Sequence, residues 1–193
     1  VTEKGNWEHN NILNVKITLE SFASQKGITK EELETRLEAS RKLLLNRRDT
    51  RTKPLLDDKI LLSWNALLVT ACCKIYASLG NDNYKKMAVR CMDFIWQHLQ
   101  KDGIFYHTYK NGAARHPAFL DDYAYLIQAL IHLQEITADA AYLHKARNLT
   151  QFVIDHYSEP ETGFFFFTHA NQKDVIVRKK EVYDGATPSG TAI

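Results

Sequence analysis

A block of about sixty residues occurs twice in succession in this chain, and that repeat limits its possible folds more than any other feature. Tyr84 and Tyr142, Ala88 and Ala146, and Phe94 and Phe152 each stand 58 residues apart, while Gly103 and Gly163 stand 60 apart. Each block reads as a mostly apolar helix, a tight turn, an amphipathic helix and a small β-hairpin. In the first block, apolar residues cover nearly the whole circumference from Ile60 to Leu79, which predicts a helix buried on all sides and ended at Gly80. Asn81 or Asp82 then caps a helix whose stripe is Tyr84, Ala88, Cys91, Ile95 and Leu99. Gly103 stops it, and Ile104 to Tyr109 reads as a strand before the hairpin signal Asn111-Gly112. In the second block Asp121 and Asp122 open an apolar helix over 123–136. A break at Thr137 to Asp139 leads to a helix striped by Tyr142, Ala146, Leu149, Val153 and Tyr157. Phe164 to Thr168 and Val175-Ile176-Val177, joined by the turn Asn171 to Asp174, read as the second hairpin.

Such a unit cannot cover its own apolar face, so neighbouring units must stack side by side. The apolar helices become an inner layer, the amphipathic ones an outer layer, and helix starts and hairpins gather on one rim. The expected class is all-α: an incomplete α/α toroid with short β-hairpins between helix pairs, residues 1–193 forming a fragment of one such domain. Flanking pieces complete the reading. A helix begins at Thr29, which forms a capping box with Glu32, and Leu33, Leu37 and Leu44 mark its face. Arg47 to Lys53 is a charged connector, Pro54 prevents continuation, and Asp57-Asp58 open the first apolar helix. A third unit is expected to start at Asp184, with Pro188 in the first turn of its helix. The chain opens on Val1 rather than Met and is expected to be a piece of something longer.

Composition excludes several classes. Of 193 residues, 45% are hydrophobic and 25% charged, which fits a packed globular core and not a disordered chain. The net charge of +2 lacks the basic excess of a nucleic-acid binder. No stretch approaches about 20 uncharged apolar residues, so no membrane span is expected. Cys72, Cys73 and Cys91 form no Cys-x-x-Cys pattern and read as structural thiols of a cytoplasmic protein. The eight histidines contain no His-Glu-x-x-His, and His132, His144 and His156 fall on two helices without a common face. Neither a metal nor a cofactor is expected.

The residues that could carry chemistry cluster at the expected rim. Asp57-Asp58, Asp121-Asp122 and Asp184 recur at inner-helix starts, and carboxylates facing one cleft suit the acid and base roles of glycoside chemistry. Helix capping explains the same acids equally well. Asp122 and Asp184 are the expected catalytic pair. Asp58, Trp64, Asn65 and Tyr123 would contact substrate, because aromatic rings beside amides and carboxylates match the apolar faces and hydroxyl edges of a sugar. Trp64 reads equally as core. His107 and His169 each lie in the hairpin after an amphipathic helix and would border the rim. His116, with Arg115 before Pro117, could shuttle a proton or simply face solvent.

These motifs resemble one known family. Val1-Thr2 with Gly5-Asn6-Trp7-Glu8, Arg51-Thr-Lys-Pro54 leading to Asp57-Asp58-Lys59, Ser63-Trp64-Asn65, Phe119-Leu-Asp-Asp-Tyr-Ala124 and Asp184-Gly-Ala-Thr-Pro-Ser-Gly190 follow the family's order along nearly the whole chain. The family is the thioredoxin-domain-containing group that includes a spermatogenesis-associated member, and the resemblance is to its C-terminal region. It departs at Ala66, where the family usually has Gly, and at Thr191-Ala192, where it usually has Asn-Ser.

The resemblance implies a six-hairpin α/α toroid similar to N-acylglucosamine 2-epimerases and six-hairpin glycosidases, with a thioredoxin-like domain N-terminal to it in the full-length protein. It implies a sugar ligand by analogy only, since one fold hosts many functions. The expected function is therefore carbohydrate binding or carbohydrate chemistry, isomerase-like or hydrolase-like. The alternatives are a non-catalytic module that holds peptides or client proteins for the attached thioredoxin-like domain, and a structural scaffold.

Overall fold

A computed structural model describes residues 2–193. Val1, the first residue of the matching motifs, lies outside the described residues. The chain forms two compact units, one ending at Leu56 and one spanning Asp57–Ile193.

In the first unit, Gly5-Asn6-Trp7-Glu8 makes a tight turn in which the amides of Asn6 and Trp7 both donate to Asn10 O. Any Cβ at position 5 would lie 2.5 Å from His9 C, so this turn needs glycine. Helix α1 (Leu19–Lys26), absent from the sequence expectations, is capped by Thr18, whose Oγ1 accepts from Ser21 N. Helix α2 (Lys30–Asp49) starts as expected, with Thr29 Oγ1 accepting from Glu32 N at 3.1 Å. Only Leu33 of its stripe is buried; Leu37 and Leu44 remain open. Exposed ion pairs decorate it, among them Lys30–Glu20 at 2.6 Å and Arg41–Glu38 at 2.8 Å.

The second unit contains both repeats. Its elements are β1 (Ile60–Leu61), α3 (Leu62–Leu79), α4 (Asp82–His98), β2 (Gln100–Lys101), β3 (Ile104–Lys110), β4 (Ala113–Pro117), α5 (Leu120–Thr137) and α6 (Ala140–Tyr157). Helix α4 packs on α3, α6 packs on α5, and α3 packs along α5. The two apolar helices thus form one layer, and each amphipathic helix backs its own partner. The core is contributed by every element of this double hairpin: Leu62, Ala66 and Val69 from α3, Met92 and Ile95 from α4, Leu126 and Leu130 from α5, and Val153 and Tyr157 from α6. By length and composition α3 could cross a membrane, but it is packed as a core helix through those residues.

Burial of α3 is one-sided, contrary to expectation. Trp64, Leu68 and Leu79 are open because α4 and α5 cover only part of its circumference. The thiols of Cys72 and Cys73 are buried and free. Desolvation pushes the Cys73 thiol up to about 12 and that of half-buried Cys91 to about 11, so none acts as a ready thiolate.

Strand β3 is the centre of the small sheet and pairs antiparallel with β1, β2 and β4. The β3–β4 turn is Asn111-Gly112, with φ of 51° and 76°, as the dipeptide predicts. The second hairpin is different. Among the described residues, 164–179 make only an isolated bridge, Ser158 with Phe165, and a few lone backbone bonds such as Phe167 N to Lys179 O at 2.8 Å. A two-stranded ribbon is marginal alone. The first hairpin gains two further short strands that the second lacks, and Ile176 stands fully in solvent.

Two helix starts also differ from expectation. Asp57 and Asp58 do not open α3: they lie in extended chain, where Asp57 pairs with Lys59 at 3.2 Å and Asp58 with Lys110. Strand β1 pairs Ile60 with Tyr109 and Leu61 with Thr108, which delays the helix to Leu62. At the far end, 184–190 form a loop rather than a third helix start, with Ser189 buried and its hydroxyl donating to Glu181 O at 2.6 Å.

Candidate functional site

The site is built around the carboxylate of Asp122, which joins three elements. Asp122 is the third residue of α5, and its Oδ2 accepts from Phe119 N at 2.9 Å, the usual reach of an acid at that position back to the helix cap. Its Oδ1 accepts from Ser63 N at 3.0 Å. That bond caps α3, whose own preceding residue, Leu61, offers no side-chain acceptor. The third partner is His107 of β3, with Nδ1 at 2.8 Å from Oδ2 and 3.1 Å from Oδ1. Asp122 is only 1% exposed.

A carboxylate in that position fixes the imidazole. Neutral His107 must carry its proton on Nδ1 to bond the acid, which leaves Nε2 as the free basic nitrogen. The Phe119 ring lies beside the imidazole, with centroids 5.0 Å apart. The His107 side chain remains 26% exposed, so the orienting acid is sealed while the base is reachable. The hydrogen bond to Asp122 raises the His107 pKa; partial burial and the Lys59 charge oppose that rise. An Asp122→Asn variant is accordingly expected to move the NMR titration midpoint of His107 down toward the ordinary imidazole value, near about 6.5. An unmoved midpoint would show that the acid does not control the ring.

The neighbouring acid has another task. Asp121 is half-buried and its Oδ1 accepts from Gly190 N at 2.8 Å, while burial raises its pKa. A Cβ on residue 190 would stand 2.4 Å from that oxygen, so only glycine permits the approach. The same loop is held by the Tyr125 hydroxyl, which donates to Pro188 O, and by Asp184 Oδ1, which accepts from Ser189 N at 2.9 Å. Asp184 therefore lies in a loop docked on the start of α5, the end that carries Asp122.

The sequence candidates separate accordingly. Asp122 and His107 meet directly. Trp64 follows Ser63 on α3 and is 66% exposed, which removes the core alternative for that ring. Asp184 is exposed, and Asp58 is exposed in its pair with Lys110. Asn65 is turned to a structural task, since its Nδ2 donates to Leu61 O at 2.8 Å and its Oδ1 receives the Cys91 thiol at 3.6 Å. Tyr123 is buried, its hydroxyl accepting from Phe105 N at 3.2 Å and its pKa pushed up to about 12 by burial. It belongs to the core and not to a binding surface. His169 stacks on His156 with centroids 4.7 Å apart near the end of α6, and its Nδ1 accepts from Asn171 N at 2.9 Å. Burial lowers its pKa, with the His156 charge adding to that effect. An apolar cavity of about 330 Å³ between α5, α6 and Gly190 contains none of the expected acids.

No protein-family model matches the chain. It is 32% identical over 197 residues to an uncharacterised protein of Caenorhabditis elegans and 29% identical over 201 residues to spermatogenesis-associated protein 20 of Homo sapiens. Each match covers 98% of this chain, which spans only 27% and 26% of those relatives' lengths. Among solved structures, it is similar to cellobiose 2-epimerase from Bacillus thermoamylovorans, with a TM-score of 0.57 and 12% identity over 63% of this chain and 35% of that one. It is also similar to a family 105 glycoside hydrolase from C. acetobutylicum, with a TM-score of 0.53 and 16% identity over 85% of this chain and 51% of that one. At such identities the likeness concerns the fold alone. The chain thus has the helical architecture of the α/α toroid proteins and is similar, along nearly its whole length, to about a quarter of spermatogenesis-associated protein 20.

Proposed function

We propose that this chain is part of a carbohydrate-active protein in which His107 exchanges a proton with a sugar and Asp122 orients it. The observation that carries the reading is the His107–Asp122 pair: a sealed carboxylate holding an accessible imidazole, at the starts of the paired inner helices. In isomerase-like chemistry the free Nε2 would take a proton beside the carbonyl of an open-chain sugar. In hydrolase-like chemistry the protonated ring would serve the leaving oxygen. Asp122 is a positioning residue in both cases, because its oxygens are already occupied by two backbone amides and the imidazole. Asp184 is the second acid of this reading, and Trp64 offers an exposed ring on which the apolar face of a sugar can rest. The free thiols agree with a reducing, cytoplasmic setting.

The test is turnover of cellobiose, mannose and N-acetylglucosamine, with epimers and hydrolysis products separated by chromatography. His107→Asn, whose Nδ2 stands where the ring has Nδ1 and can still donate to Asp122, is expected to lower turnover by about 10²–10⁴-fold with the far-ultraviolet circular dichroism unchanged. Equal turnover by wild type and variant overturns the role of His107. Absence of both binding and turnover for all three sugars, with measurable affinity for a thiol-bearing client, replaces the reading with the client-binding module.

A further inference from the structure

We infer that the β3–β4 hairpin carries an oxyanion pocket, one that takes the phosphate or carboxylate group of a small anionic ligand. The pocket is a hollow of about 240 Å³ lined by Lys59, Thr108, Lys110, Asn111, Arg115 and His116, with no apolar side chain among them. Thr108 and Arg115 are ladder partners and so project from the same face of the hairpin. The Thr108 hydroxyl donates to Arg115 O at 3.2 Å, which ties the two strands at this point. His107, one residue away along β3, projects to the opposite face, so this pocket is separate from the imidazole–carboxylate pair.

The charges within it are unequally matched. Lys59 and Lys110 have Asp57 and Asp58 as partners, and those two carboxylates are exposed, with side chains 66% and 50% open. Among the described residues, neither the Arg115 guanidinium nor the His116 imidazole has a hydrogen-bonding or ionic partner. An arginine fork with two ammonium groups and an amide on one concavity is the donor set that binds phosphate or carboxylate oxygens. The hollow is larger than one phosphate and leaves room for an attached ring. Naming that ring a sugar rests on the carbohydrate reading above; the anion pocket does not.

The test is calorimetric titration of the full chain at low ionic strength with glucose 6-phosphate, glucuronate, glucose and inorganic phosphate, repeated with Arg115→Ala. Arg115 is exposed, so its removal leaves the core intact. Glucose 6-phosphate and glucuronate are expected to bind at least about tenfold tighter than glucose, and Arg115→Ala to erase that difference. Inorganic phosphate binding as tightly as glucose 6-phosphate, and lost in Arg115→Ala, upholds the pocket and counts against a sugar ring. Equal affinity for the three sugars, no binding of any anionic probe, or anion affinity unchanged in Arg115→Ala each overturns the pocket. The carbohydrate reading then still stands or falls on turnover and His107.

Discussion

Replacing Asp122 with alanine is expected to remove about 3–5 kcal/mol of stability, read as a lower urea midpoint at unchanged slope. The side chain is 1% exposed and accepts from Ser63 N, Phe119 N and the His107 ring. Alanine would strip the caps from α3 and α5 together and leave the imidazole without its counter-charge. The loss should also depend on pH, and its sign follows from His107. The folded pKa of that ring is raised, so the stabilising ion pair is fully present below the ordinary value near about 6.5 and fades as pH climbs through the raised one. The deficit of Asp122→Ala should therefore be larger in mild acid than in alkali, where the two backbone caps and the hydrogen bond of the neutral ring remain to be lost but the ion pair does not. Asp58→Ala, which removes only an exposed pair with Lys110, should leave the midpoint in place. Equal deficits at both pH values would show that the charge on the ring adds nothing to the clasp.

That clasp explains which parts of the molecule were legible in the sequence. Elements set by local periodicity and turn chemistry appear where expected. The α4 stripe Ala88, Ile95 and Leu99 is buried, α6 repeats it with Ala146, Leu149 and Val153, and Asn111-Gly112 makes its turn. Misreadings arose where a distant partner replaced a local one. Asp57-Asp58 look like a helix cap, yet the carboxylate that caps α3 arrives from Asp122, 59 residues beyond the Ser63 amide that it accepts from. Val175-Ile176-Val177 has strand composition but lacks the two further short strands that stabilise the first hairpin. Candidate ligand contacts were confused for a related reason. Tyr123 and Trp64 are both large aromatics with a polar handle, and only the packing decides that the first is inward and the second open. The His107–Asp122 contact joins two residues that the sequence placed on the same rim but did not pair. The Thr108–Arg115 pairing follows from the two-residue Asn111-Gly112 turn, whereas the Lys59 side of the pocket depends on β1 pairing with β3, which no local pattern displays.

Leu126→Ala is expected to cost about 2–5 kcal/mol, because Leu126 is 0% exposed in the core around α3 and α5 and truncation leaves a cavity that close packing cannot fill. Unlike the loss at Asp122, this one should be the same in mild acid and in alkali, since no titrating group takes part. The two positions are four residues apart, hence one turn along the same face of α5. Both hold that helix in place, the first through polar caps at its start and the second through apolar packing beyond it. Their effects should therefore interact: once Leu126→Ala has loosened α5, Asp122 has less fixed geometry to maintain. The double variant is expected to fall short of the sum of the single losses by at least about 0.5 kcal/mol. Strict additivity would mean that the start of α5 is anchored independently of its core face, and that the rim carrying His107 can open while the helical layer beneath it stays packed.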